Sequence, residues 1–253
     1  KNIVVLRGPE IYNSFYVEKY DLLHLSKQKL HFEVNQIHKQ VGKNTPCNIL
    51  DIGSGIGHHI NKYHSFANEA IGIDVSPHMV EKANSLYPNC NIVENDALNP
   101  GAFPTNIFSH ISCFSFTIYY MQNKHQFFTN SYNWLQPGGK LIVHLVDPSK
   151  FSPMVPNRNP FQSLALSNPT KSRNTKFDLE LDDLSYMSKY DYYEDEKKCE
   201  FNEKITDKIT NTVRLNEHVL YMPRIGEILE IAKNTGFIVL DKISMDDCNC
   251  YYQ

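Results

Sequence analysis

Apolar residues recur at spacings of three, four and seven from Phe15 through Leu22, Leu25, Leu30, Val34 and Ile37 to Val41, which predicts helix across 11–41. Gly42 and Pro46 break that pattern. From residue 48 the period changes. Short apolar runs at 48–51, 70–74, 91–95, 108–114 and 140–146 read as strands, and the first three end in or beside an acid. Helical stretches at 57–66, 77–86 and 124–135 lie between them. Ser76 caps the second of these, Pro77 takes its first position and Pro88 follows its end. A turn is expected at 137–139, and the run 140–146 is apolar on both faces, as in a central strand. This alternation is that of an open parallel sheet covered by helices on both sides.

After Asp147 the pattern changes again. Residues 148–175 are rich in Pro, Ser, Asn and Arg and read as loop, with a short helix around 161–166. Residues 176–221 interleave Tyr190, Tyr192, Phe201, Ile205, Val213 and Leu215 with charge, which suits antiparallel strands. Residues 223–235 return to helix, Gly236 stops it, 237–243 reads as a strand and 250–253 begins another. The division expected is a helical cap at 1–46, an α/β core from 47–146 and 223–253, and an insertion at 147–222.

With 253 residues and 41% hydrophobic positions the chain can bury a substantial core. No apolar run is long enough to span a bilayer and no signal peptide is legible. The chain begins at Lys1, so what precedes it is left open. A net charge of −3 disfavours a nucleic-acid backbone as partner and favours a small or neutral one. The six cysteines are scattered without a Cys-x-x-Cys pair, which reads as free thiols in a reducing, cytoplasmic setting and gives no zinc site. His58 and His59 are adjacent but diverge, so no metal is expected.

The chemistry concentrates at strand ends. Gly53, Gly55 and Gly57, with Ser54 between them, let the backbone turn tightly and approach a ligand. The spacing is Gly-x-Gly-x-Gly, and Asp51 precedes the first glycine. A carboxylate there repels a pyrophosphate and suits the ammonium of an amino acid, which favours S-adenosylmethionine over a dinucleotide. Asp74, about twenty residues on, can accept both ribose hydroxyls of an adenosine. Asp96, with small Ala97 beside it, can accept from an adenine amino group.

Five stretches in order resemble the motifs of the class I S-adenosylmethionine-dependent methyltransferases, small-molecule-type branch. They are 48–57 (NILDIGSGIG), 71–83 (IGIDVSPHMVEKA), 93–98 (VENDAL), 108–120 (FSHISCFSFTIYY) and 134–143 (WLQPGGKLIV). The resemblance covers 47–146 closely and 223–253 more loosely. It implies a Rossmann-like α/β fold: a seven-stranded, mostly parallel sheet of order 3-2-1-4-5-7-6, strand 7 antiparallel, with helices on both faces. To this is added an antiparallel β insertion between strand 5 and the last helix. It further implies that Asp51, Gly53 and Gly55 line the methionine moiety, with Cys113 and Phe114 contacting it through backbone. Asp74 would hold the ribose with Val75 and Met79 packing nearby, and Asp96 and Ala97 the adenine. Ser109 and Tyr119 stand where relatives often carry an acid and a histidine, which bears on substrate rather than cofactor.

The insertion at 147–222 lies at the carboxyl ends of the strands, over the cofactor crevice, and is read as a substrate lid or platform; the alternative is a homodimer interface. Tyr12, Tyr16 and Tyr20 share one helix face and either join the core or close the other side. Tyr119, His144, Glu217 and His218 are candidate bases, with Tyr119 and His218 preferred; Arg214, Asn216 and His218 share a strand face that meets either a polar substrate or water. The expected reaction is in-line methyl transfer to N or O of a small molecule. Action on protein or RNA, or a non-catalytic scaffold, are the alternatives.

Overall fold

Two five-stranded sheets organise the chain. The structure is a computed structural model and describes residues 2–42, 46–149 and 172–248. The first sheet comprises β2 (Asn48–Ile52), β3 (Glu69–Asp74), β4 (Asn91–Glu94), β5 (Phe108–Cys113) and β6 (Leu135–Val143), ordered β4-β3-β2-β5-β6 with every pair parallel. That is the 3-2-1-4-5 part of the expected order. Gly139 sits where a side chain would strike Gln136 O and Ser109 O, and the register shifts between Phe108 and His110. The expected turn at 137–139 is therefore absorbed into β6 as an irregularity.

Helices α2 (Lys27–Gln40), α3 (His58–Tyr63) and α4 (Pro77–Leu86) bury Ile37, Tyr63 and Ala83 against Ile49 and Ala70 on one side of the sheet. Helices α5 (Thr117–Tyr120), α6 (Lys124–Trp134) and α7 (Ile225–Asn234) bury Phe127, Trp134 and Ile228 with Phe108 and Ile111 on the other. None of the helices among the described residues is long and apolar enough to cross a membrane.

The second sheet, the platform, comprises β7 (Ser172–Glu180), β8 (Leu184–Tyr193), β9 (Lys198–Asp207) and β10 (Thr212–Tyr221), all antiparallel neighbours. Cross-strand rows stack Ser188, Glu203 and Asn216 together, and Tyr190, Phe201 and His218 together. The platform joins the first core through Tyr190, Tyr192, Cys199 and Leu220, which pack with Tyr119 and Val146.

Three elements differ from expectation. The helix expected across 11–41 is a 3-10 helix Gly8–Tyr12 followed by α1 (Ser14–His24) and α2. Asn13 and Ser26 cap them, their side chains accepting from Tyr16 N and Lys29 N. Apolar spacing runs through such a break in phase, so periodicity alone misses it. Residues 2–7, expected within a helical cap, form strand β1 (Asn2–Arg7), parallel to β10 at the platform edge. Residues 237–243 are not a strand; Ile238 and Leu240 are 81% and 75% exposed. A strand needs a partner ladder, and the neighbour expected at 250–253, like the short helix expected at 161–166, lies outside the described residues. Five parallel strands, not seven, therefore stand in the described part of this sheet. Cys47, Cys90, Cys113 and Cys199 are free, whereas Cys248 is disulfide-bonded, against the reading of free thiols.

Candidate active site

The loop after β2 is shaped by backbone hydrogen bonds to the end of β3. Gly53 N and Ser54 N both donate to Ile73 O at 2.9 Å, and Gly55 N donates to Asp74 Oδ2 at 2.9 Å. Gly53, Gly55 and Gly57 have φ of 70°, 54° and 84°, the left-handed region that glycine tolerates. A Cβ on Gly53 would strike the Thr117 side chain, so this loop and the start of α5 touch directly. Asp74 also accepts from Ser76 N at 2.9 Å. Its carboxyl is fixed by two backbone donors and retains lone pairs for others. Burial raises its pKa; the Ser76 and Gly55 hydrogen bonds oppose this.

Asp96 is exposed just past β4, whose Glu94 pairs with Asp74, and accepts from Leu98 N at 2.8 Å. Ala97 is buried, and so is Met79, which packs with Val17 and Ile56; Val75 is 47% exposed. Cys113 O already accepts from His144 N, and Phe114 O from Thr117 N. Phe114 lines the cavity described next, whereas Cys113 does not.

A cavity of about 210 Å³ opens from this loop. At one end lie Asp51, Glu33, His59, His144 and Lys29. Asp51 accepts from Ser112 Oγ at 2.6 Å, and burial lifts its pKa to about 6 against the pull of His59 and that hydrogen bond. Burial would also raise Glu33, but Lys29, the His59 hydrogen bond and His144 outweigh it and hold Glu33 at about 2. His59 Nε2 lies 2.9 Å from Glu33 Oε2. His144 is pushed down to about 4 by burial and by Lys29. Glu33 Oε1, Ser54 Oγ and His144 Nδ1 are buried without a hydrogen-bond partner. Burying such groups unpaired is costly, so they mark places where a polar ligand can bind. Ser115 and Phe116, which also line the cavity, hold φ of 48° and 67°. Two consecutive non-glycine residues in the left-handed region concentrate strain at a ligand-facing turn.

The other end is aromatic, lined by Tyr12, Tyr16 and Tyr20, by Tyr120 of α5, and by Tyr186, Tyr190 and Phe201 of the platform. Behind them Glu203 is 2% exposed. It accepts from Tyr186 and Tyr16 at 2.7 and 2.9 Å, from Asn216 Nδ2 at 2.9 Å, and lies 2.8 Å from His218 Nε2. Burial opposes its ionisation, but His218, His24 and the Asn216 hydrogen bond hold its pKa at about 2. His218 Nδ1 lies 2.9 Å from Tyr120 Oη, so Tyr120, His218 and Glu203 form one chain from the cavity wall inward.

Tyr12 and Tyr16 thus face the cavity, and His218 stands one hydrogen bond behind it. Two expected site residues are placed elsewhere. Tyr119 is fully buried; its hydroxyl donates to Val146 O at 3.2 Å and accepts from Val146 N at 2.8 Å, so both its roles are spent on backbone. Arg214 gives its guanidinium to Asn216, Asn13 and Ile11 O, and lies 5.4 Å from each of the Phe15 and Tyr16 rings. It ties the platform to the 3-10 helix and does not line the cavity. Glu217 pairs with Arg7 at the edge. His58 meets Asp21 and Tyr87 while His59 meets Glu33, and no group of three metal-ligating side chains occurs among the described residues. Sequence reasoning missed Tyr120, Glu33, Lys29 and Glu203. Only Glu203 carried a readable signal, as an acid in the inward set Cys199, Phe201, Glu203 and Ile205 of an alternating strand.

The sequence model of a family described as Methyltransferase domain matches residues 50–143. Phosphoethanolamine N-methyltransferase 3 of Arabidopsis thaliana is 31% identical over 99 residues, 38% of this chain and 20% of that protein, so the alignment spans a fifth of this curated relative. An S-adenosylmethionine-dependent methyltransferase from Clostridium acetobutylicum superposes with a TM-score of 0.67 at 14% identity, covering 90% of this chain and 87% of that one. SAM-bound CalS10, an amino pentose methyltransferase from Micromonospora echinaspora, gives 0.60 at 15% identity, covering 89% of each. At such identities the likeness shows the fold alone. Residues 50–143 thus carry a methyltransferase domain, and the fold around it is the Rossmann-like fold of S-adenosylmethionine-dependent methyltransferases.

Proposed function

We propose that the chain transfers a methyl group from S-adenosylmethionine to a nitrogen or oxygen of a small-molecule acceptor. The observation that carries this reading is the continuity of one cavity from the glycine loop to the tyrosines beneath the platform. Donor and acceptor need such a shared, dry space, because alignment and exclusion of water are most of what the transfer asks of a protein.

The residues present fit the cofactor. Asp51 and Glu33, whose Oε1 lies 3.7 Å from both Lys29 Nζ and His144 Nδ1 without a hydrogen bond, suit an α-ammonium; Lys29, His59 and His144 suit an α-carboxylate. Gly53, Ser54 and Gly55 line the space between, with Gly57 turning into α3 and Phe114 closing the wall beside Cys113. Asp74 would take the ribose hydroxyls, Val75 and Met79 would pack nearby, and Asp96 and Ala97 would take the adenine. When bound, the sulfonium supplies an electrophilic methyl carbon whose bond to sulfur breaks with the electron pair on sulfur. The platform within 147–222, with Tyr12 and Tyr16 opposite it, would cover the acceptor. The names of the plant relative and of CalS10 support a small-molecule acceptor.

Titration calorimetry with S-adenosylmethionine and S-adenosylhomocysteine tests the reading. Binding in the micromolar range is expected. Absence of heat at millimolar ligand, with the protein folded by circular dichroism, overturns it.

A further inference from the structure

The platform end of the cavity holds a charge that the cofactor reading does not use. Glu203 is buried beneath tyrosines, and its hydrogen-bond partners are two phenols, an amide and an imidazole. Among the described residues no lysine or arginine forms an ion pair with it, and the buried Arg214 is committed to Ile11, Asn13 and Asn216. A buried carboxylate of this kind attracts a cation. Tyr12, Tyr16, Tyr20, Tyr120, Tyr186 and Tyr190 line the cavity and offer ring faces that bind ammonium groups, while the hydroxyls of Tyr16 and Tyr186 are held by Glu203 and that of Tyr190 by Met222 Sδ.

The hydrogen-bond chain also has a direction. In neutral His218 the nitrogen facing the Glu203 carboxylate, Nε2, carries the proton, because a carboxylate only accepts. Nδ1 is then the acceptor, and Tyr120 donates its hydroxyl proton to it. One lone pair of Tyr120 Oη receives the Tyr12 hydroxyl proton, which leaves one lone pair for a ligand.

We propose that the methyl acceptor is an amine that arrives as its ammonium, is drawn into the tyrosine-lined end by Glu203, and loses its proton through Tyr120 to His218. This deepens the reading given under Proposed function and rests on it. One N–H proton passes to Tyr120 Oη as the Tyr120 proton passes to His218 Nδ1, leaving an imidazolium against Glu203. The freed nitrogen lone pair forms the N–C bond while the methyl–sulfur bond breaks with its pair on sulfur. The products are an N-methylated ammonium and a neutral thioether, and the proton on His218 passes to water when they leave. An alcohol gains little from this chain, since it brings no charge for Glu203 and is far less acidic than an ammonium. Tyr120 is thus a catalytic residue; His218 and Glu203 are positioning residues that act through it.

The test compares two compact probes, trimethylammonium chloride and tert-butanol, by ligand-observed NMR on the full chain, alone and saturated with S-adenosylhomocysteine. The wild-type protein is expected to bind the ammonium at least tenfold more tightly. Glu203→Gln should remove that preference while S-adenosylhomocysteine affinity, measured by calorimetry, stays within about threefold. Tyr120→Phe should keep ammonium binding and, with an amine substrate, lower kcat by about a hundredfold with little change in KM. Equal binding of the two probes by wild type overturns the proposal, and that comparison stands even if Glu203→Gln fails to fold. Unchanged ammonium preference in a folded Glu203→Gln protein overturns it too. Failure of S-adenosylhomocysteine to bind, with probe discrimination intact, sinks the cofactor reading instead.

Discussion

Asp51 and Glu33 stand at one end of the same cavity with opposite titration behaviour. Asp51 is raised to about 6 by burial, so its charge costs stability at neutral pH. The native state takes up that proton first, and its contribution grows as pH falls from about 6 toward the ordinary aspartate range. Glu33 and Glu203, both held at about 2, behave in reverse: their stabilisation is complete above the ordinary glutamate range and is lost as pH falls toward 2. His144, held at about 4 by burial, opposes this gain over the same range, so no net rise is expected; in denaturation against pH, Asp51→Asn should make the loss of stability between about pH 6 and 4 steeper. The same variant should lose cofactor affinity by about tenfold or more, because its carboxylate is the expected partner of the ammonium. Tyr119→Phe separates two adjacent tyrosines. It leaves Val146 N without its partner and should cost about 1–3 kcal/mol in urea denaturation while kcat stays within about twofold.

Among the elements, the 3-10 helix Gly8–Tyr12 joins the two sheets. Arg214 of β10 donates to Ile11 O, and Ser76, next to the Asp74 loop, donates to Tyr12 O at 2.7 Å. A planar guanidinium can serve Ile11, Asn13 and Asn216 at once, and a lysine cannot. Arg214→Lys should therefore cost about 2–3 kcal/mol and make residues 8–13 the first site of limited proteolysis. This joint explains why periodicity misread the N-terminal region. Strand β1 is defined by its pairing with β10, some two hundred residues away, and its Ile3, Val4 and Val5 are exposed at an edge. Elements whose signal is local, such as β2, β3 and the Ser76-capped α4, were read nearly to the residue.

At the scale of the molecule, the cavity is walled by α1, α2, the β2 loop, the β5–α5 turn and the platform. A ligand there touches elements from both ends of the chain. Saturating S-adenosylhomocysteine at a hundred times its Kd should stabilise the protein by about 2.7 kcal/mol. Amide exchange should slow in α1 and α2 as well as in the glycine loop. Protection confined to residues 51–57 would mean that the N-terminal helices do not close on the cofactor.

The parallel core and the carboxylates at its strand ends were legible because each signal lies within one strand–loop–helix unit. Gly53, Gly55, Asp74 and Asp96 sit at strand ends whose order follows from alternation alone. The aromatic end of the cavity was decided by tertiary structure. Tyr120 and Tyr119 are neighbours with the same side chain, and only packing turns one hydroxyl to the Val146 backbone and the other toward His218 and the cavity. Arg214 and His218 share a strand face, yet one is consumed by the 3-10 helix while the other meets Glu203. Such roles depend on which buried donor finds which acceptor across distant strands, and residue spacing in one chain does not encode that.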